Sequence, residues 1–285
     1  MAIHNYARLL GIVRQVPQVL EGKYGKTAIC PITVVRGERD QAKQKTDYRI
    51  KKYASILILA EEDEIADEVS TWKENDIVDL SGFIATREVE KKAICPICHK
   101  ENLRSEACKT AHSGGNRTFI YPIYAKKSMS FFEQGEAHHY LLERAEISNR
   151  VFLIGNVTKE PIHGLIKDES TSKVNEKPFT RFQIAVNRKY CAKGMQEFIE
   201  RTDYPWVYSY GENSLIDKEV LHTGSLVFID GALQSRDYKE LYQCQHCGES
   251  FKVPGRTLEI LSYQTEYFDN CNTKILNLNY SRDSI

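Results

Sequence analysis

The feature that most limits what this chain can fold into is a pattern that it contains twice. Asn5, Leu9, Gly11, Val13 and Pro17 recur as Asn149, Leu153, Gly155, Val157 and Pro161, at a constant offset of 144. In the second copy, Asn149-Arg-Val-Phe-Leu-Ile-Gly-Asn-Val157, the apolar residues Val151, Leu153 and Val157 alternate with other side chains, as a half-buried β-strand requires. Gly155 interrupts the alternation, where a strand bends or another backbone comes close. Further on, Asn75 to Gly82 aligns with Gly224 to Gly231 at an offset of 149, and Arg117-Thr118 matches Arg256-Thr257. Register that survives in several separate places marks a duplicated, strand-rich unit.

The chain has 285 residues, room for two domains that each bury a real core. Lys+Arg and Asp+Glu both number 39, so any nucleic-acid surface has to come from local clustering rather than from net charge. Charged residues recur throughout, leaving no apolar run of about 18 residues and no signal-peptide core. The expectation is a soluble, cytoplasmic protein without membrane contact. Four of the eight cysteines form C-x-x-C pairs, Cys95/Cys98 and Cys244/Cys247; in a reducing compartment such pairs bind metal more often than they form disulfides.

In order, the first unit shows strand patterns at Leu9–Val13, Ile29–Val35 and Ser55–Leu59. A short helix over Glu61–Trp72 follows, with Ile65, Val69 and Trp72 on one face, then strands at Asp76–Ile84 and Arg117–Tyr124. Lys43–Lys52 is polar and basic and reads as a mobile loop. The second unit repeats the order at Asn149–Val157, Phe179–Arg188, Tyr204–Tyr210, a helix over Ser214–Leu221, Gly224–Gly231 and Arg256–Tyr263. Three strands, a helix and two strands give the order of an OB-fold, a five-stranded Greek-key barrel. The fold class expected is therefore all-β: two tandem OB-fold barrels, each with a cysteine-containing insertion between its fourth and fifth strands. The divisions are 1–131 with an insertion at about 93–116, a connector at 132–148 with some helix, 149–270 with an insertion at about 240–255, and a tail at 271–285.

The second unit also carries a specific likeness. Asn-x-Val-x-Leu-Ile-Gly-Asn-Val, then Phe-x-Ile-Ala-Val-Asn-Arg, then Thr-Gly-Ser-Leu-Val-Phe-Ile-Asp-Gly-Ala-Leu-Gln-Ser-Arg resembles the bacterial single-stranded DNA-binding protein (SSB) family. The resemblance covers about residues 149 to 268 and is fainter in the first unit. It implies binding of single-stranded DNA without catalysis, by stacking bases on aromatic rings and pairing phosphates with cations. Matched residue by residue, the family's stacking positions fall on Tyr190, Tyr204, Tyr210 and Tyr238. The family often has Trp or Phe there; tyrosine still stacks, with less area. Arg181, Arg188, Lys189 and Arg236 are the nearby cations. In the first unit Glu38 replaces the equivalent of Tyr190, while Arg36, Arg87 and Arg117 remain and Tyr48 and Tyr53 flank the basic loop. The bland alternative is that these tyrosines are surface or interface residues of strands, where tyrosine is common.

Cys95-Pro-Ile-Cys98 followed by Cys108-Lys-Thr-Ala-His112 can close a tetrahedral structural zinc site, with His99 as a competing fourth ligand. Metal would also explain how so polar an insertion folds. Cys244-Gln-His-Cys247 has no second pair after it before the fifth strand; Cys191 and Cys271, then His246 and His222, are candidates to complete a second site. Cys30 sits in a strand pattern and reads as a small buried hydrophobe. SSB-family members usually end in an acidic recruiting tail, whereas this chain ends Leu278-Asn-Tyr-Ser-Arg-Asp-Ser-Ile285. That favours a dedicated role, in a plasmid, phage, conjugative element or replication restart, over a hub. Single-stranded DNA, with RNA possible, is the expected partner, and a homodimer the expected assembly. The competing reading is an OB-fold and zinc-knuckle interaction scaffold. An enzyme is disfavoured because neither carboxylates near a histidine nor a Ser/His arrangement is evident.

Overall fold

The structure, a computed structural model, describes residues 4–22, 25–40, 45–88, 92–103, 116–168, 175–191 and 198–272. Its first half contains β1 (Asn5–Val13), β2 (Gln18–Gly22), β3 (Gly25–Asp40), β4 (Lys45–Ala60), α1 (Asp63–Ser70), β5 (Asp76–Glu88), β6 (Lys92–Ile94), β7 (Glu101–Leu103) and β8 (Asn116–Ser130). The helices α2 (Gln134–Glu143) and α3 (Ala145–Ser148) connect it to the second half. That half contains β9 (Asn149–Val157), β10 (Ile162–Asp168), β11 (Asn175–Cys191), β12 (Phe198–Asp203), β13 (Trp206–Tyr210), α4 (Glu212–Val220), β14 (Leu226–Gln243) and β15 (Ser250–Asp269).

Each half closes into the expected barrel. In the first, β1 pairs with β3 and β5, β3 with β4, β5 with β8, and β4 meets β8 in parallel at Ile58 and Ile120. In the second, β9 pairs with β11 and β14, β11 with β13, β14 with β15, and β13 meets β15 in parallel at Val207 and Ile260. Alternation places Leu9, Ile32, Ile56, Leu80 and Ile120 inside one barrel, and Leu153, Phe182, Ile184, Val207 and Ile229 inside the other, all at most 1% exposed. Helix α1 has Asp63 and Glu64 in its first turn, where the helix dipole favours negative charge, and it buries Ala66 and Val69 beside Trp72. Gly82 and Gly231 sit at equivalent bulges, where a Cβ would come within 2.2 Å of the carbonyl oxygens of Tyr121 and Leu261 respectively. The repeated glycines are therefore required by backbone approach rather than by flexibility.

The structure adds short strands (β2, β6, β7, β10 and β12) to the two barrels. It also corrects one local reading. Lys45–Lys52 belongs to β4, paired with β3, rather than to a mobile loop. The connector packs Ala137, Leu141 and Ala145 on Leu10, Ile12, Val35 and Ile77 of the first barrel. Residues 273–285 lie outside the described set. Among the described residues no helix is long and apolar enough to cross a membrane.

The halves are joined by β1 and β9, antiparallel, with Asn5 opposite Leu153, Ala7 opposite Val151 and Leu9 opposite Asn149. Because Ala7 and Val151 are repeat equivalents, this register is reciprocal, as in an isologous dimer, with a pseudo-two-fold axis through their pair. One buried cluster consequently runs through both barrels.

Candidate nucleic-acid interface and metal centre

On the outer face of the second barrel, rings and cations interleave. Outward positions on β11 alternate with the inward Phe182 and Ile184, and they pair across to β13, Phe179 with Tyr210 and Arg181 with Tyr208. The Arg181 guanidinium lies 3.8 Å above the Trp206 ring and 5.7 Å from Tyr208. Tyr208 stacks between Phe179 at 6.2 Å and Tyr210 at 6.3 Å, and Lys177 sits 5.7 Å from the Tyr210 ring. Arg236 donates to the Tyr208 hydroxyl at 2.8 Å and to Glu259 at 2.5 Å. Burial and the Glu259 carboxylate push the Tyr208 phenol up to about 12, so it stays protonated. The first repeat reaches this face through Arg36, which donates to Gln234 at 3.1 Å, while Gln234 donates to the Tyr210 hydroxyl at 3.4 Å.

The structure thus brings together four of the residues expected from sequence: Arg36, Arg181, Tyr210 and Arg236. Lys177, Phe179, Trp206 and Tyr208 join them, and sequence reasoning missed these. The signal was present: residues 177, 179 and 181 share one face of a strand whose 182 and 184 point inward, and 206, 208 and 210 alternate likewise. Tyr204 is exposed and lies elsewhere, at the inter-barrel seam, where its N–H donates to the Thr86 hydroxyl at 2.9 Å. Tyr238 lies on the β14–β15 hairpin, and Arg87 pairs with Glu61 at 2.7 Å. Arg188 is 3% exposed and pairs at 2.6 Å with Asp203, whose carboxylate also accepts the Thr86 N–H at 2.7 Å. It is thereby a clasp between the barrels rather than a surface cation. Lys189 and Tyr190 are strand residues of β11, opposite Glu200 and Ile199; their side chains, like those of Tyr48 and Cys191, lie outside the described set.

The cysteines meet differently from the expectation of one site per repeat. Cys95 and Cys98 turn between β6 and β7, Cys244 and Cys247 between β14 and β15, and all four Sγ atoms lie within 4.8 Å of one another. The close pairs cross between the halves: Cys95 with Cys247 at 3.8 Å, and Cys98 with Cys244 at 3.5 Å. Each knuckle is built alike. Cys95 donates its N–H to Lys100 and Cys244 to Glu249, while the residues after the second cysteines, His99 and Gly248, return a bond to the first and adopt φ of 59° and 78°. Four thiolates around a tetrahedral ion with bonds of about 2.3 Å stand about 3.8 Å apart, so this donor set and spacing fit such an ion. Against burial, the N–H groups of Cys247 and His246 carry the Cys244 thiol down to about 6, while burial and the neighbouring thiols push Cys247 up to about 12 and Cys98 up as well. Cys108 and His112 lie outside the described residues. Cys271 instead approaches the Leu226 carbonyl at 3.8 Å and packs on the barrel core. Cys30 is fully buried, and that burial pushes its thiol up to about 12.

Residues 148–246 match the model of the Single-strand binding protein family. The whole fold is similar to the wild-type single-stranded DNA binding protein from Thermus aquaticus, with a TM-score of 0.58, 13% identity and 93% of each chain covered. A deletion mutant of that protein gives 0.52 at 14% identity, over 93% of this chain and 94% of that one. No curated protein matches the chain. Residues 148–246 are thus similar to the Single-strand binding protein family, and the chain carries the fold of that segment twice.

Proposed function

We propose that this protein binds and covers single-stranded DNA without catalysing a reaction, in replication, recombination, repair or the transfer of a mobile element. The observation that carries the reading is the interleaved face of Lys177, Phe179, Arg181, Trp206 and Tyr210, laid over the buried Tyr208, on the half that matches the family model. Such a face suits an unpaired strand. Each base stacked on an aromatic ring is worth about 1–3 kcal/mol, and cations along the path neutralise phosphates. In the same reading Cys95, Cys98, Cys244 and Cys247 hold one structural Zn²⁺, which leaves no coordination position for a catalytic water. Two barrels in one chain stand where a dimer would, and a homodimer with four barrels is the assembly we infer.

Titration of oligo-dT and oligo-rU at two salt concentrations tests the function, with zinc measured on the same sample. Binding that weakens steeply with salt is expected, and no binding at low salt overturns the reading. Zinc is expected to vanish in Cys95→Ser and in Cys247→Ser and to persist in Cys108→Ser; loss in Cys108→Ser would overturn the ligand assignment. Light scattering that gives a single-chain mass would remove the homodimer.

A further inference from the structure

In both cross-repeat cysteine pairs, a sulfur that solvent reaches faces one that it does not. The exposed Cys247 lies 3.8 Å from the buried Cys95, and the half-buried Cys98 lies 3.5 Å from the buried Cys244. Behind them, Cys95 and Cys244 share a small core with Ala93 and with the rings of Tyr242 and Phe251, stacked at 5.6 Å. The two turns are matched: the His99 N–H donates to the Cys95 carbonyl and the Gly248 N–H to the Cys244 carbonyl, both at 2.9 Å. Cys30 and Cys271 face backbone carbonyls instead, those of Pro31 at 3.9 Å and Asp269 at 3.2 Å.

We propose that the four-cysteine centre is also an oxidation site, at which hydroperoxides exchange a metal-held join between the repeats for the disulfides Cys95–Cys247 and Cys98–Cys244. The proposal rests on the reading of these residues as zinc ligands. An exposed thiolate is the group that a peroxide reaches first. The Cys247 Sγ attacks the outer peroxide oxygen, the O–O bond breaks, and the departing oxygen takes a proton and leaves as alcohol or water. Cys247 is then a sulfenic acid. The Cys95 thiolate attacks that sulfur and expels hydroxide, which takes a proton to become water. Cys98 and Cys244 repeat the sequence with a second hydroperoxide. Two peroxides thus accept the four electrons that four thiolates give up. Each S–S contact closes to about 2.05 Å, and a disulfide sulfur is no longer the thiolate that zinc requires. Both bonds cross between the repeats, so the halves stay stapled once the ion is lost.

The test treats the zinc-loaded full chain with hydrogen peroxide and digests it with trypsin without reduction. Cleavage after Lys92, Lys100, Lys239 and Lys252 leaves Cys95 with Cys98 on one peptide and Cys244 with Cys247 on another. The expected product is one species that joins these two peptides, four hydrogens lighter than their sum, with fragmentation placing Cys95 on Cys247. One zinc is released for every two peroxides consumed. Cys247→Ser is expected to form only Cys98–Cys244, and Cys271→Ser to give the wild-type map. Two separate peptides, each two hydrogens lighter, would place the bonds inside the knuckles and overturn the proposal. Sulfinic acids without disulfides, or a doubled mass on a non-reducing gel, would overturn it as well. A reduced protein that carries no zinc overturns the metal reading instead, and the same peptide map on that protein still decides whether peroxide joins the repeats.

Discussion

At the scale of single residues, the repeated asparagine shows what a duplicated letter does. Asn5 donates to the Ile84 carbonyl and accepts the Ile84 N–H, both at 2.8 Å, and Asn149 does the same with Leu233 at 2.9 and 2.8 Å. Each amide stitches the first strand of its barrel to the fourth where no solvent reaches. Asn149→Ala leaves a buried N–H and C=O unpaired, at a cost of about 2–4 kcal/mol; denaturant unfolding should show that loss, with the fold retained. Asp217 is a second buried polar residue, held by the Tyr267 hydroxyl at 2.7 Å. Burial pushes its carboxyl from 3.8 up to about 6. The folded state thus holds this proton more tightly than the unfolded chain, so its contribution is complete below pH 3.8 and is lost as pH rises through 6. The penalty above that pH is about 3 kcal/mol. Asp217→Asn is expected to flatten the stability profile between pH 4 and 6 and to be at least as stable as wild type at pH 7, as measured by denaturant midpoints.

Among the elements, the hairpins between fourth and fifth strands depart most from a plain barrel. β14 and β15 stay paired from Leu226–Asp269 to Gln243–Ser250, long enough to carry Cys244 and Cys247 beyond the barrel wall to the other repeat's knuckle. In that knuckle His99 holds a left-handed conformation that Gly248 holds in the second. For a residue with a Cβ this costs about 1 kcal/mol. His99→Gly is therefore expected to keep its zinc and gain about that much stability. Metal analysis together with thermal unfolding checks both, and loss of zinc would instead make His99 a ligand. The outer pair Arg8–Asp79 of the first repeat has Phe152 and Phe228 at its equivalent positions, stacked at 6.3 Å. The two copies therefore keep their inward faces and differ on their outward ones.

Over the whole molecule, β1–β9 pairing, the Arg188–Asp203–Thr86 clasp and the bond from the Ser55 N–H to the Ser235 hydroxyl at 3.1 Å make the halves one body. Cutting it between the repeats would expose two strand edges and strand a buried ion pair. The chain is expected to unfold in a single calorimetric transition with equal calorimetric and van't Hoff enthalpies; two resolved transitions would show that the barrels are independent.

Much of this was legible in the chain itself. Alternation at Leu9–Val13 or Phe182–Val186 reports which face of a strand is buried, and the repeat at offsets of 144 and 149 reports that one barrel occurs twice. These are local properties, set by a two-residue period and by backbone sterics, so they need no knowledge of how the halves dock. The 149 offset even carries Cys95 and Cys98 onto Cys244 and Cys247, which shows that the knuckles are equivalent but not that they meet. Their meeting and the burial of Arg188 were decided only by the tertiary structure. The reason is that each depends on the pseudo-two-fold docking of the repeats, and no pattern within one copy encodes where its partner lies.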